Sequence, residues 1–146
     1  MNTQIENFVQ GKRLAVVGLS RSGKKFGNMA YKELKERGYT LYPVHPQAQE
    51  IDGERCYPNL AELQGKVDGV LVSVPPQKAK TVLQDASAAG IKNVWLQQGS
   101  ESGEVLSLAR QLELNVISGK CILMYAPPVR SFHGFHRFVM KLIGQL

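Results

Sequence analysis

A short apolar, β-branched run that breaks at a glycine constrains this chain more than any other stretch. Arg13-Leu14-Ala15-Val16-Val17 runs into Gly18-Leu19-Ser20-Arg21-Ser22-Gly23-Lys24-Lys25, and a helix-like segment from Phe26 to Arg37 then ends at Gly38. Strand, small-residue turn and helix, in that order, open a nucleotide-binding α/β unit. Small residues let the backbone approach a phosphate closely. The first N–H groups of the helix have no internal partners, and the helix dipole favours an anion beside them. Arg21, Lys24 and Lys25 concentrate positive charge at the same place. The stretch reads as a site for a phosphorylated cofactor.

Two familiar motifs come close and fail. The dinucleotide fingerprint G-x-G-x-x-G needs glycine at positions 18, 20 and 23, and Ser20 occupies the middle one. An NAD site also wants a carboxylate about 20 residues further on, to hold the ribose. That region reads Tyr39-Thr40-Leu41-Tyr42-Pro43-Val44-His45-Pro46, without an acid. The P-loop G-x-x-x-x-G-K-[ST] fits Gly18, Gly23 and Lys24, but Lys25 stands where a hydroxyl must hold magnesium.

The remaining chain repeats the opening pattern. Second, third, fourth and fifth strands are expected at Tyr39–Val44, Gly69–Val74, Asn93–Leu96 and Val116–Ile117. Helices are expected at 77–89, where Ala79, Val82, Leu83 and Ala86 share a face, and at 104–112. Gln47 to Pro58 reads as a loop or small hairpin around Asp52-Gly53, and Leu60 to Leu63 as a short helix. Alternating β and α with apolar strands implies a doubly wound parallel sheet of five strands, covered on both faces. Right-handed crossovers with a reversal after the third strand predict the order 3-2-1-4-5. A final helix, capped by Ser131, carries Phe135, Phe138, Val139, Leu142, Ile143 and Leu146 near helical spacing. That stripe must fold onto its own sheet or onto a second copy, which makes a homodimer one of two outcomes.

Composition narrows the partners. At 146 residues the chain fits one domain, residues 1–146, with a core of its own. Apolar runs are too short to span a bilayer, and the first ten residues lack a secretory core, so the expected location is cytoplasmic and no membrane partner is implied. The net charge of +6 calls for an anionic partner. The basic residues are dispersed, aromatic content is 8%, and no nucleic-acid-binding signature occurs, so a polyanionic small molecule is the simpler partner than nucleic acid. Cys56 and Cys121 form no C-x-x-C pair and no zinc-spaced cluster, so no metal is expected.

Ligands of open α/β sheets bind beyond the carboxyl ends of the strands. Those ends supply Gly18, Ser20, Arg21, Ser22, Lys24 and Lys25 after the first strand, and Val44, His45 and Pro46 after the second. Val74, Pro75, Pro76 and Lys78 follow the third, Gln97 and Gly99 the fourth, and Cys121 the fifth. The set is small, rigid or hydrogen-bonding, and it holds no acid–base pair, catalytic triad or metal cluster. It suits an anion joined to a flat group better than bond-making chemistry.

Several stretches together resemble the small stand-alone CoA-binding proteins, which are similar to the CoA-binding domain of the succinyl-CoA synthetase α subunit. They are Ala15-Val16-Val17-Gly18-Leu19-Ser20, Gly38-Tyr39, Pro43-Val44-His45-Pro46, Ile51-Asp52-Gly53, Val67-Asp68, Val94-Trp95-Leu96-Gln97-Gln98-Gly99 and Cys121-Ile122. The resemblance implies a Rossmann-like domain that holds coenzyme A or an acyl-CoA, with the pyrophosphate on the first turn. It also implies that 43–46, 74–76 and 97–99 line the groove. His45 stands where those proteins usually carry asparagine. The synthetase's phosphohistidine belongs to a domain beyond this stretch, so His133 and His136 inherit no such role and autonomous catalysis is not implied. Two other readings stand beside this one. The first is a nicotinamide-dependent oxidoreductase, for which His45 and Cys121 are the candidate proton donors. The second is an interaction protein that senses a nucleotide and binds a partner through its final helix.

Overall fold

The computed structural model of the chain describes residues 3–23, 25–51 and 53–127. Helix α1 (Thr3–Gln10) precedes strand β1 (Arg13–Val17), which passes through the glycine-bearing turn into α2 (Phe26–Glu36) and β2 (Thr40–Val44). An antiparallel ribbon of β3 (Glu50–Ile51) and β4 (Glu54–Arg55) follows, then a 3-10 turn at Leu60–Leu63 and strand β5 (Gly69–Val72). The chain continues through α3 (Pro76–Ala88), β6 (Asn93–Leu96), α4 (Gly103–Gln111) and β7 (Asn115–Ile117), and a second 3-10 turn spans Ile122–Met124. Each expected strand and helix in this range stands within two residues of its expected ends. Helix α1 was not anticipated, although Ile5, Phe8 and Val9 are spaced as one buried helical face. The expected C-terminal helix, with Ser131 to Leu146, lies outside the described residues.

The fold is a Rossmann-like α/β sandwich around a five-stranded parallel sheet. Its strand order is β2-β1-β5-β6-β7, so the third sheet strand lies beside the first rather than beyond the second. This corrects the expected 3-2-1-4-5 to 2-1-3-4-5. Pro43 supplies the reason. It lies within β2, opposite Val16, and has no N–H to give a further strand. Its carbonyl instead accepts the Tyr57 N–H at 2.8 Å on the outer edge, where the chain from the ribbon covers β2. Strand β5 is buried at all four residues and needs a neighbour on each side, which β1 and β6 provide.

Side chains alternate across the sheet into two cores. Leu14, Val16, Leu71 and Trp95 pack with α1, α2 and the segment around Ile122-Leu123. Ala15, Val70, Val72, Val94 and Leu96 pack with α3, α4 and the first 3-10 turn. Trp95 stands between Phe8 and Tyr125, with ring centroids at 5.4 and 5.9 Å, and donates its indole N–H to the Lys120 carbonyl at 2.9 Å. Arg37, nearly buried, donates to the carbonyls of Leu123 and Ala126 and so ties the segment after β7 to the end of α2. Among the described residues no helix is long and apolar enough to cross a membrane.

Candidate functional site

Because β1 and β5 are neighbours, the helices that follow them leave in opposite directions: α2 to one face and α3 to the other. The loops after these two strands part there, and the crevice at their carboxyl ends is the switch point of the sheet. Gly18 sits at its floor with φ +119°, and a Cβ on it would lie 2.1 Å from the Ser73 carbonyl oxygen at the end of β5. Ser100, buried behind this loop, accepts from Val74 N–H at 3.1 Å and donates to the Val72 carbonyl at 3.3 Å. The ends of β5 and β6 are thus fastened where the ladder stops.

The turn after β1 is held by a residue the sequence reading did not single out. Asn28 is fully buried in the first turns of α2. Its Oδ1 accepts the Ser20 N–H at 2.8 Å and its Nδ2 donates to the Ser20 carbonyl at 3.0 Å. Both backbone groups of Ser20 are therefore gripped by one amide. The Ser20 carbonyl also accepts from Gly23 N–H at 3.1 Å, and the hydroxyls of Ser20 and Ser22 are bonded at 2.6 Å. Gly27 lets the helix come this close, since a Cβ there would stand 2.6 Å from the Gly18 oxygen. The two glycines that make the approach are thus 18 and 27, whereas Gly23 has open space around it. Lys25 is the N-cap of α2 and its side chain makes no capping bond, so the helix presents its first N–H groups at the crevice.

Arg21 and Lys25 are exposed beside that N-terminus, and among the described residues neither has a carboxylate partner. Lys24 lies outside the described residues. Both cations act on His45, at the end of β2. Burial first, then Arg21, then Lys25 hold the imidazole below its usual value. His45 Nδ1 accepts the N–H groups of Gln47 and Ala48, each at 3.0 Å. The structure therefore brings Arg21, Lys25 and His45 into one electropositive region. Pro46 is exposed next to them, while Val44 is buried and bridges to Tyr57.

The other strand ends form the opposite wall. Pro75 is the N-cap of α3, Pro76 its first residue, and Lys78 is exposed in its first turn. Gly99 is exposed with φ +97°. Gln97 is buried, and its Oε1 accepts from Ile122 N–H at 3.2 Å. Cys121 is buried beside it. Burial pushes its thiol up, and the Leu123 N–H, Gln97 amide and Met124 N–H oppose that rise. The site residues the sequence reading missed are Gly27, Asn28, Ser73 and Ser100. A buried-face asparagine and a glycine inside a helix were the only available signals for the first two.

This arrangement can hold an anion on the first backbone N–H groups of α2, beside Arg21 and Lys25, which have no carboxylate partner among the described residues. The profile of a family described as CoA binding domain matches residues 12–127. The chain is 28% identical over 129 residues to the alpha subunit of an ADP-forming acetate–CoA ligase II from Pyrococcus furiosus, covering 81% of this chain but 28% of that subunit. It is 29% identical over 120 residues to the uncharacterised protein YneT of Bacillus subtilis, covering 82% of this chain and 89% of YneT. Among solved structures, a conserved hypothetical protein from Pyrococcus furiosus superposes with a TM-score of 0.73 at 35% identity, over 76% of this chain and 96% of that one. The dinucleotide-forming acetyl-coenzyme A synthetase 1 of Ca. Korarchaeum cryptofilum superposes with a TM-score of 0.67 at 28% identity, and there the chain spans 27% of the larger protein.

Proposed function

The chain belongs to the CoA binding domain family, and from that premise we propose that it binds coenzyme A or an acyl-CoA across the carboxyl ends of its sheet, as a holder of the cofactor without catalysis of its own. One observation carries the reading. Asn28 clamps the Ser20–Gly23 turn over an uncapped helix N-terminus, beside Arg21 and Lys25, which have no carboxylate partner among the described residues. A pyrophosphate satisfies the free N–H groups and both cations together. In sequence Lys24 lies between Gly23 and Lys25, and the CoA 3′-phosphate gives the cations of this stretch a further anion to meet. Val44 to Pro46 and Val74 to Pro76 would flank the nucleotide, with Lys78 at the rim, and Gly99 would bound the thiol end, with Gln97 and Cys121 as buried supports.

NAD fits less well, because β2 ends in Val44-His45-Pro46 without the carboxylate that would hold its ribose. The two candidate proton donors for that reading are also committed elsewhere. His45 Nδ1 accepts two backbone bonds, and Cys121 is a buried thiol. We therefore assign any joining of an acid to CoA to the parts of the ligases that this chain does not span. In this reading the protein acts on the cytoplasmic CoA pool.

Titration calorimetry of the full chain with CoA, acetyl-CoA and NAD tests the reading. CoA should bind more tightly than NAD, and its affinity should fall as salt screens Arg21 and Lys25. Tighter NAD binding, or no CoA binding at millimolar concentration, overturns it.

A further inference from the structure

His45 does a task at the end of β2 that separates it from the other groups of the crevice. Its Nδ1 accepts the N–H groups of Gln47 and Ala48 at 3.0 Å each, closing the turn that carries Pro46. A ring nitrogen that accepts bears no proton, so the neutral ring keeps its proton on Nε2. The charges of Arg21 and Lys25, on the β1–α2 turn, act on the ring. From the side of the β3–β4 ribbon, the Tyr57 carbonyl accepts the His45 backbone N–H at 2.9 Å. Among the described residues no carboxylate pairs with the imidazole to favour its charged form.

Protonation of Nδ1 turns an acceptor into a donor that meets two donors. Both bonds are lost, and a third positive charge arises beside Arg21 and Lys25. The backbone N–H groups of residues 47 and 48 are released, and the turn loses what fixes it. We propose that His45 is a positioning residue that works as a pH-sensitive latch: its neutral ring holds the turn at the end of β2 in the form that accepts an anionic ligand, and its protonation opens that turn and lets the ligand go.

The sign is what makes the latch distinct. A site built only of cations and a free histidine binds an anion more tightly as the solution is acidified. Here the added proton dismantles the wall of the site, and binding weakens. An asparagine at this position would close the turn without titrating. Its Oδ1 accepts the N–H two residues on, in the manner of an Asx turn.

The identity of the ligand rests on the CoA reading; the latch does not, so the test has two arms. In the first, CoA affinity of wild type and of His45→Asn is measured by calorimetry from about pH 7.5 down to about pH 5, a range that brackets the ordinary histidine value. Ionisation of the CoA phosphates is common to both proteins, so the ratio of their affinities isolates the ring. That ratio, wild type over His45→Asn, should fall by about tenfold on acidification, the scale of two ordinary hydrogen bonds. A ratio that stays constant or rises overturns the proposal. In the second arm, without ligand, the His45 ring nitrogens and the exchange of the Gln47 and Ala48 amides are followed by NMR. Protection of both amides should be lost as Nδ1 takes up a proton, and should persist in His45→Asn. Protection that survives protonation overturns the latch. Loss of protection with no CoA binding at any pH supports the latch and overturns the CoA reading.

Discussion

Replacing Gly27 with alanine should destabilise the protein and weaken CoA binding, against what helix propensity alone would say. In a helix interior, glycine to alanine gains about 0.8–1 kcal/mol. Gly27 is the second residue of α2, where less of that gain is available. The opposing term comes from space. The new Cβ would stand 2.6 Å from the Gly18 carbonyl oxygen and 3.1 Å from its carbon. Those atoms are backbone, and Gly18 is itself pressed on the end of β5, 2.1 Å separating a would-be Cβ there from the Ser73 oxygen. No rotamer change relieves the clash, so α2 must lift from the sheet and draw Asn28 away from Ser20. Overpacking of this kind costs about 1–3 kcal/mol. We expect a net loss of about 1–2 kcal/mol, or about 3–8 °C in Tm for a domain of this size. Lifting α2 also withdraws its N-terminus from the anion, and CoA affinity should fall about tenfold, the worth of one charge-assisted hydrogen bond. Gly103→Ala, at the start of α4 with nothing within 4 Å, is the control and should move stability by no more than about 0.5 kcal/mol. Thermal unfolding by circular dichroism and CoA titration are read on both variants. A Gly27→Ala protein as stable as Gly103→Ala, with unchanged affinity, would refute the close approach of α2 to the β1 turn.

Asn28→Asp keeps the acceptor for Ser20 N–H but sets a carboxylate oxygen against the Ser20 carbonyl and a negative charge at the anion site. CoA affinity should fall further than in Asn28→Ala, which loses two bonds of about 0.5–1.5 kcal/mol each, and the reverse ranking by calorimetry would remove Asn28 from the site. Cys121, buried with its thiol pushed up, should resist a maleimide in native buffer and react once denatured. Prompt native labelling in the intact mass, abolished by Cys121→Ser, would show that its sulfur reaches the groove.

Much of the architecture was legible because it is written in periodicity. The apolar strands Gly69–Val72 and Asn93–Leu96 and the helical face of Ala79, Val82, Leu83 and Ala86 are local patterns, and each formed the element expected of it. Strand order is not local, and it was misassigned from a rule about handedness that both orders satisfy. The information that separates them is a single residue. Pro43 cannot stand in a strand paired on both sides without leaving a bond unmade, so β2 had to be an edge. Helix α1 escaped for a different reason: Ile5, Phe8 and Val9 make one turn of apolar spacing in eight residues, too short for propensity to show without the sheet it covers.

The site divides along the same line. Gly18, Ser20, Arg21 and Lys25 were legible as candidates because backbone conformation and charge are what residue type reports directly. Gly27 and Asn28 act through the distance between a helix and a strand, which sequence spacing does not give. Yet they left a trace. The buried residues of α2 are Gly27, Asn28, Ala30, Tyr31 and Leu34, so a glycine and an amide stand on a stripe that an ordinary amphipathic helix fills with apolar side chains. A buried amide must find partners for both its ends. One that lies in the first turn of a helix, next to a loop rich in unpaired backbone groups, has those groups within reach. Such a polar residue on an apolar face, close behind a glycine-bearing turn, is therefore readable as the clamp that holds the turn in shape. His45 is the complementary case. Its type suggested a proton donor or a ligand contact, whereas its Nδ1 serves the backbone, and only the positions of the Gln47 and Ala48 amides reveal that the ring must stay neutral to do so.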